Sequence, residues 1–369
     1  MTSGHIGTVA FRTDASLEIG TGHVMRCLTL ADELAAYGAD CSFICADRAG
    51  HLADVIRARG HGVHLLPSPS RASSSTEVGS AHAGWLATSW EEDADQVRQV
   101  LACRPPSWLV LDHYAIDGRW EQALRHHYGK LLVIDDLADR PHDCDLLLDQ
   151  NAGRRPADYD ELTGSQCRRL IGPQYALLRP EFAAHRDESL RRRHDEKPSR
   201  LLVTMGGVDA PNATGTVLDV LKNLPQLPIN RIDVVMNAQA PWLTAVCDHA
   251  ATMPCQTEVH VSPTSMARLM AVSDLAIGAT GTTALERCCL GLPTLQVVLA
   301  RNQEQGAAAL SEMGSALSIG TPQDIAETLP GLLTWILEPR RLAAMSLSAS
   351  TVTDGQGATR VLEAIGFAS

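Results

Sequence analysis

The sequence predicts an α/β protein built from two doubly wound, parallel-sheet domains. Three observations carry this prediction. Short apolar runs alternate with longer stretches of helical periodicity, as strand–helix–strand crossovers require. The chain has 369 residues, long for one hydrophobic core and comfortable for two. A highly charged run at 184–200 interrupts the alternation near the middle.

Taken in order, residues 8–13 (TVAFRT) read as the first strand. A helix follows from about Gly22 to Tyr37, and Gly38 suits its C-terminal stop. CSFICA (41–46), a helix near 51–59 and VHLLP (63–67) come next. Residues 68–84, rich in Ser, Ala and Gly, read as a loop. A helix near 91–103 leads to WLVLD (108–112). LLVID (131–135) and DLLLD (145–149) are further short apolar runs of the kind buried on both faces of a sheet. The charged run at 184–200 reads as a linker, which sets the domains at 1–198 and 199–369. It also reads as a solvated helix on the outside of the first domain.

The second half repeats the scheme. LLVTM (201–205), RIDVVM (231–236), EVHV (258–261), DLAIG (274–278) and PTLQVV (293–298) read as strands. Helices are expected near 212–223, 241–250, 264–272, from Thr282, and near 302–313. Two or three helices close the chain, the last a candidate to pack back on the first domain. Ligands in such sheets bind beyond the carboxyl ends of the strands, so two facing domains would line one interdomain cleft.

Composition narrows the function. A net charge of -12 argues against a nucleic-acid partner, because phosphate neutralisation needs a basic surface. A few arginines and helix N-termini can still hold a small anion. The chain carries no run of 18 apolar residues, and residues 1–7 lack the pattern of a signal peptide, so a cytoplasmic protein without a membrane span is expected. The ten cysteines include no CxxC pair and read as buried free thiols, with no metal or other cofactor expected.

Four constellations follow predicted strands. Gly20-Thr21-Gly22-His23-Val24-Met25-Arg26 opens the first helix. Gly20 and Gly22 let the backbone approach a ligand, His23 can take a proton from water, and Arg26 can meet an anion. A plain strand-to-helix turn with an incidental His is the alternative. Met25 stands where a dinucleotide fingerprint needs Gly. Gly278-Ala279-Thr280-Gly281-Thr282-Thr283-Ala284-Leu285-Glu286 opens a second such helix. There Gly281, Thr282 and Thr283 suit a phosphate, and Glu286 suits a ribose diol or simply the helix dipole. Gly206-Gly207 after LLVTM is a third turn open to phosphate, or only a tight turn. The fourth set is Asp112-His113-Tyr114, Asp135-Asp136 and Asp149-Gln150-Asn151, with Asp112 and Tyr114 as binding candidates and helix capping by Asp136 the plainer alternative. Asn302-Gln303 suits sugar hydroxyls or a helix start. His5, His51, His61, His82, His126, His127 and His194 have no partner spacing and read as surface or packing residues.

These motifs in order, FRTDASLEIGTGHVMRCLTLADEL (11–34), LVLDHYAID (109–117), LLVIDDLADRPHDCDLLLDQN (131–151), GPQYALLRPEF (172–182), LLVTMGGVD (201–209), DLAIGATGTTALERCCLGLPTLQVVLARNQ (274–303) and DGQGATRVLEAI (354–365), resemble the UDP-sugar hydrolases of pseudaminic acid biosynthesis over nearly the whole chain. The resemblance implies a GT-B-like fold, similar to that of the peptidoglycan N-acetylglucosaminyltransferase. It implies attack of water on the anomeric carbon of UDP-2,4-diacetamido-2,4,6-trideoxy-β-L-altropyranose, with inversion and release of UDP. His23 matches the catalytic His, Thr282 and Thr283 the phosphate turn, Glu286 the ribose acid, Gly207 the turn facing the diphosphate, and Asn302 and Gln303 residues near the sugar. The sequence departs from the family at Thr280, where Gly is usual, and at Leu285, where Trp is frequent. A glycosyltransferase on the same scaffold and a non-catalytic nucleotide-sugar binder are the alternatives.

Overall fold

The computed structural model describes residues 7–67, 82–86, 88–195, 198–224 and 227–367. Most of the loop read at 68–84 lies outside these residues, as do His5, the other N-terminal residues 1–6 and the side chain of His194.

The chain divides into two compact units, residues 1–177 with 357–369, and residues 178–356. In the first, strands β1 (Thr8–Thr13), β2 (Asp40–Ala46), β3 (Gly62–Leu66), β4 (Trp108–Asp112), β5 (Lys130–Ile134), β6 (Leu146–Asp149) and β7 (Arg168–Ile171) form a parallel sheet in the order β3-β2-β1-β4-β5-β6-β7. Helices α1 (Gly22–Ala36), α2 (Ala53–Ala58), α3 (Trp90–Ala102) and α4 (Gly118–Ala123) alternate with the strands. The short strand β7 and helix α4 lacked a periodic signal in the sequence.

Helix α1 forms because Val24, Cys27, Leu28, Ala31 and Leu34 recur at helical spacing and are all buried in one core. It stops at Gly38, whose φ of +88° suits a left-handed cap. Ser89 opens α3 by accepting a hydrogen bond from Glu92 N at 3.3 Å. Beneath the sheet end, the fully buried Arg12 of β1 pairs with Asp14 at 2.6 Å and Asp93 at 2.5 Å. Trp120 Nε1 donates to the same Asp93 at 2.9 Å. A buried charge set of this kind is tolerable because every member is partnered.

The second unit opens with α5 (Pro180–Asp195). Strands β8 (Arg200–Thr204), β9 (Arg231–Met236), β10 (Gln256–Val261), β11 (Leu275–Ala279), β12 (Thr294–Val297) and β13 (Leu317–Gly320) form a parallel sheet in the order β10-β9-β8-β11-β12-β13. Helices α6 (Ala213–Lys222), α7 (Leu243–Ala250), α8 (Met266–Ala271), α9 (Thr282–Cys289), α10 (Glu304–Glu312), α11 (Ile325–Ile336) and α12 (Pro339–Ser350) cover it. Helix α13 (Gly357–Ile365) belongs to the first unit, where Val361, Leu362 and Ile365 join the core of α1.

The charged run is neither a linker nor a solvated helix. It falls in α5 and the segment leading to β8, and the division between units lies near residue 178 instead of 198. The reason is the use made of its arginines. Arg186 donates to Ser350 O at 2.7 Å and to Cys289 O; Arg193 donates to Met270 O and Ser273 O, both at 2.8 Å. These are carbonyls left open at the ends of α8, α9 and α12, and cations are favoured there. Burial, and then the neighbouring Arg192 cation, lower the Arg193 guanidinium to about 9 against the pull of Asp274.

All ten cysteines are free. Cys27, Cys41, Cys45, Cys288 and Cys289 are buried as expected, whereas Cys103 and Cys247 are exposed. Among the described residues no helix is long and apolar enough to cross a membrane.

Candidate active site

In the first unit the strand order reverses at β1, which lies between β2 and β4. The crevice beyond such a reversal is where doubly wound sheets bind ligands. Thr13 at the end of β1 pairs with Asp112 at the end of β4. Gly20 turns the chain with φ +79°. Helix α1 then starts with no side-chain cap and no acid in its first turn, so its free amides carry the positive end of the dipole.

His23 and Arg26 both project from this first turn onto Asp112. His23 Nδ1 lies 2.6 Å from Asp112 Oδ1, and Arg26 grips the same carboxylate through Nε to Oδ2 at 2.6 Å and Nη2 to Oδ1 at 2.7 Å. Burial pushes the Asp112 carboxyl up, but Arg26 and then His23 overcome it and hold the group well below the usual carboxylate range. An ionised Asp112 only accepts hydrogen bonds. The shared proton therefore sits on His23 Nδ1, and Nε2 is the ring nitrogen turned away from Asp112.

Arg26 also donates through Nη1 to Asp136 Oδ2 at 2.6 Å, and Tyr114 OH donates to the same oxygen at 2.6 Å. The Tyr114 ring meets His23 edge-on at 4.5 Å. Burial and the neighbouring Asp136 keep the phenol protonated well above its ordinary value. Asn151 Nδ2 bridges Asp136 Oδ1 at 3.0 Å and Asp149 Oδ1 at 2.9 Å. Burial, then repulsion from Asp136, raises Asp149 to about 7. The acids at the ends of β4, β5 and β6 thus converge with Gly20, Gly22, His23 and Arg26. No helix follows Asp136, which removes helix capping as its role.

Arg140, Arg154, Tyr159 and Trp85 also belong to this cluster and escaped the sequence analysis, and His82, read there as a surface or packing residue, packs on Trp85 and Tyr114. Arg140 pairs with Asp135 at 2.9 Å, Arg154 with Asp149 at 3.2 Å, and Tyr159 OH donates to Asp149 Oδ2 at 2.8 Å. A surplus of acids at strand ends was the available signal, since buried carboxylates demand cations or donors.

In the second unit the order reverses at β8, next to β11, and Thr204 pairs with Gly278. Two helices start beyond these strands, and they differ. At α6 the amides of Ala213 and Thr214 are taken by Asp209 at 2.9 and 3.0 Å, and that of Gly215 by Asn212 at 3.2 Å. At α9 the cap is Gly281, with no side-chain cap and no acid in the first turn. The positive helix end left open is therefore that of Thr282 and Thr283.

Behind this turn lies Arg287, fully buried. It donates through Nη2 to Ala279 O at 2.8 Å and through Nη1 to Thr283 Oγ1 at 3.3 Å. A Cβ at Gly278 would meet that guanidinium at 2.8 Å, so this glycine is required by packing. Glu286 has Arg179 Nη2 at 3.6 Å, yet burial raises its carboxyl to about 7. Gln303 Oε1 accepts from Leu299 N at 3.0 Å, and its Nε2 lies 4.0 Å from where a Cβ on Gly281 would stand. Asn302 is exposed in the turn Arg301–Gln303 that precedes α10. Gly206, with φ +83°, and Gly207 follow β8 and are exposed. The two departures from the family pattern point inward: Thr280 donates to Gln296 Oε1 at 3.3 Å, and Leu285 is buried.

One trio among the described residues has metal-ligand geometry, Asp233, Glu258 and His260. Arg200 Nε at 2.5 Å and Arg231 Nη2 at 3.0 Å already neutralise Asp233, and Arg231 reaches Glu258 at 2.5 Å. The trio reads as an ion-pair network.

No protein-family model matches the chain. It is 28% identical over 307 residues to the UDP-2,4-diacetamido-2,4,6-trideoxy-beta-L-altropyranose hydrolase of Campylobacter jejuni, covering 83% of this chain and 97% of that protein. Among solved structures, MurG of Acinetobacter baumannii superposes with a TM-score of 0.68 at 15% identity, over 97% of this chain and 99% of that one. The calicheamicin glycosyltransferase CalG4 does so with a TM-score of 0.58 at 16% identity, over 98% of each chain. The chain therefore has the GT-B fold and is similar, over most of its length, to a UDP-sugar hydrolase.

Proposed function

We propose that the protein is a nucleotide-sugar hydrolase. It cleaves a UDP-linked 2,4-diacetamido-2,4,6-trideoxy hexose at the anomeric carbon, with inversion, to UDP and the free sugar. The observation that carries this is the His23–Asp112 pair, 2.6 Å apart at the open start of α1. Asp112 holds the proton on Nδ1, so Nε2 takes a proton from the attacking water, and Asp112 then balances the imidazolium. Arg26 fixes Asp112 from the other side and keeps it ionised.

In the second unit the amides of Thr282 and Thr283 and the Thr283 hydroxyl bind the diphosphate and stabilise the charge that grows on it as UDP leaves. Gly206, Gly207 and Gly281 let the backbone approach the phosphates, Glu286 accepts from the ribose diol, and Asn302 and Gln303 contact the sugar. UDP is a competent leaving group in this scheme, and every proton has a protein or water partner.

The likeness to the Campylobacter hydrolase supports water as the acceptor. The GT-B neighbours favour a second reading, transfer of the sugar to an alcohol or amine, which needs the same base. The deciding experiment is incubation with UDP-sugars in ¹⁸O-labelled water without an acceptor. Hydrolysis at the anomeric carbon puts the water oxygen on the reducing sugar and yields UDP free of ¹⁸O. Turnover that begins only when an acceptor is added overturns hydrolysis in favour of transfer. His23→Phe is expected to bind UDP and release none from the substrate.

A further inference from the structure

Beside the polar residues of the first unit, three aromatic rings gather around His23. Trp85, in the turn Ala83–Trp85, stacks on Tyr114 with 5.4 Å between centroids and 16° between planes. The His82 ring lies 4.6 Å from Trp85 and 5.1 Å from Tyr114. His23 meets both larger rings edge-on, Tyr114 at 4.5 Å and Trp85 at 6.0 Å. The turn is anchored: Trp85 N donates to His82 O at 2.9 Å, and Arg48 Nη1 donates to Trp85 O at 2.5 Å.

This cluster is not ordinary core. Tyr114 is buried, but Trp85 and His82 are only half-buried, and large aromatic surface left half in water favours whatever covers it. Burial lowers the His82 imidazole below its ordinary value, against the pull of Asp139, so its ring is uncharged at neutral pH. The polar groups nearby are already engaged, Asp112 by His23 and Arg26, and Asp136 by Arg26, Tyr114 and Asn151. Among the described residues, what remains on offer beside the base is flat: the face of the Trp85 indole and the edge of the His82 ring.

We propose that Trp85, backed by Tyr114 and flanked by His82, is a specificity wall that selects sugars with an apolar rim. A deoxy carbon or an acetamido methyl packs on the indole. A hydroxymethyl laid on the indole face is desolvated there, and the face offers its hydroxyl no partner. The proposal rests on the hydrolase reading and names what part of the substrate the first unit senses. Trp85 acts on choice of sugar, and His23 with Asp112 on the chemistry.

The test is steady-state UDP release by wild type, Trp85→Ala and Trp85→Phe. The substrate is a UDP-linked diacetamido-trideoxy hexose, and UDP-N-acetylglucosamine, which keeps its 6-hydroxyl, serves as competitor. Trp85→Ala is expected to raise KM for the trideoxy substrate about tenfold, the scale on which one apolar contact discriminates. Its kcat and the inhibition constant of UDP stay near wild type, the preference over UDP-N-acetylglucosamine narrows, and Trp85→Phe restores most of it. An unchanged KM and preference in an active Trp85→Ala enzyme overturns the wall while leaving hydrolysis intact. So does a parallel loss of UDP affinity, which marks a merely structural role. If wild type itself releases no UDP from any UDP-sugar, the hydrolase reading fails first and the wall falls with it.

Discussion

Arg287 donates a hydrogen bond to Thr283 Oγ1 at 3.3 Å from one turn further along the same helix. The accepting oxygen leaves the Thr283 hydroxyl proton to point elsewhere, at the open end of α9. Burial lowers Arg287 to about 10, which still leaves it charged at neutral pH, and among the described residues no carboxylate closes on it at ion-pair distance. Its field therefore reaches the turn, partly offset by Glu286. Thr283→Val removes one donor to a phosphate, and calorimetric UDP affinity is expected to fall about tenfold, the worth of a hydrogen bond to a charged group. Thr283 is half-exposed, so the melting temperature is expected to change little. Unaltered UDP affinity would remove Thr283 from the nucleotide site.

Gly22 is a glycine that the fold does not require. A Cβ there meets nothing within 4 Å, its φ is not positive, and it is the first residue of α1. Replacing a helical glycine with alanine ordinarily stabilises by about 0.4–1 kcal/mol. Gly22→Ala is thus expected to melt no lower than wild type while losing most of its turnover, because the methyl occupies the space a ligand needs. A variant as active as wild type would show that nothing approaches this turn.

Asp112→Asn tests the tautomer argument. Asparagine keeps the shape but can donate as well as accept, so it no longer fixes the proton on Nδ1. It also leaves Arg26 short of a charge. The kcat for UDP release is expected to drop about 100-fold or more, the range of a lost acid–base arrangement, with little change in KM. A defect confined to a raised KM would assign Asp112 to substrate binding alone.

The strand ends that carry the site were legible because doubly wound sheets bury their strands on both faces. Runs such as WLVLD and DLLLD then stand out, and the residue after each is a candidate by position alone. Asp112, Tyr114, Asp136 and Asp149 followed from that rule, and His23 from the glycine turn that opens the first helix. Arg140, Arg154 and Tyr159 did not, because they lie in irregular connections five to ten residues past the acids they meet, Asp135 and Asp149, and no periodic pattern records such a contact. Trp85 and His82 sit next to a Ser-rich stretch without periodicity, where composition hides an aromatic pair. The charged helix α5 misled for a related reason. Arg186 and Arg193 cap carbonyls of distant helices, and a sequence shows the charge without its acceptors.

Asp149 makes stability depend on pH. Its folded value of about 7 lies above the ordinary 3.8. From pH 4 to 7 the unfolded chain ionises this carboxyl while the folded protein holds its proton, so the group's contribution is greatest below about 4 and is lost as pH rises through 7. Asp149→Asn mimics the protonated form at every pH. The urea midpoint of the variant, relative to wild type, is expected to climb between pH 5 and 7 and level off above. A difference that does not change with pH would show that Asp149 is ionised throughout.

Glu286 makes nucleotide binding depend on pH with the opposite benefit. Burial raises its carboxyl to about 7, although Arg179 and Arg287 pull it down. A ribose diol donates hydrogen bonds, so it prefers the ionised carboxylate, which becomes the majority form only above that value. Binding is best measured on His23→Phe with intact UDP-sugar, whose phosphates do not titrate in this range and which the variant does not consume. The dissociation constant is expected to fall about tenfold from pH 6 to 8, as a single group titrating near 7 requires. Glu286→Gln removes the titration, so its affinity should be weak and flat over the same range. A wild-type-like pH profile in Glu286→Gln would assign the titration to another group and leave Glu286 as a buried partner of Arg179.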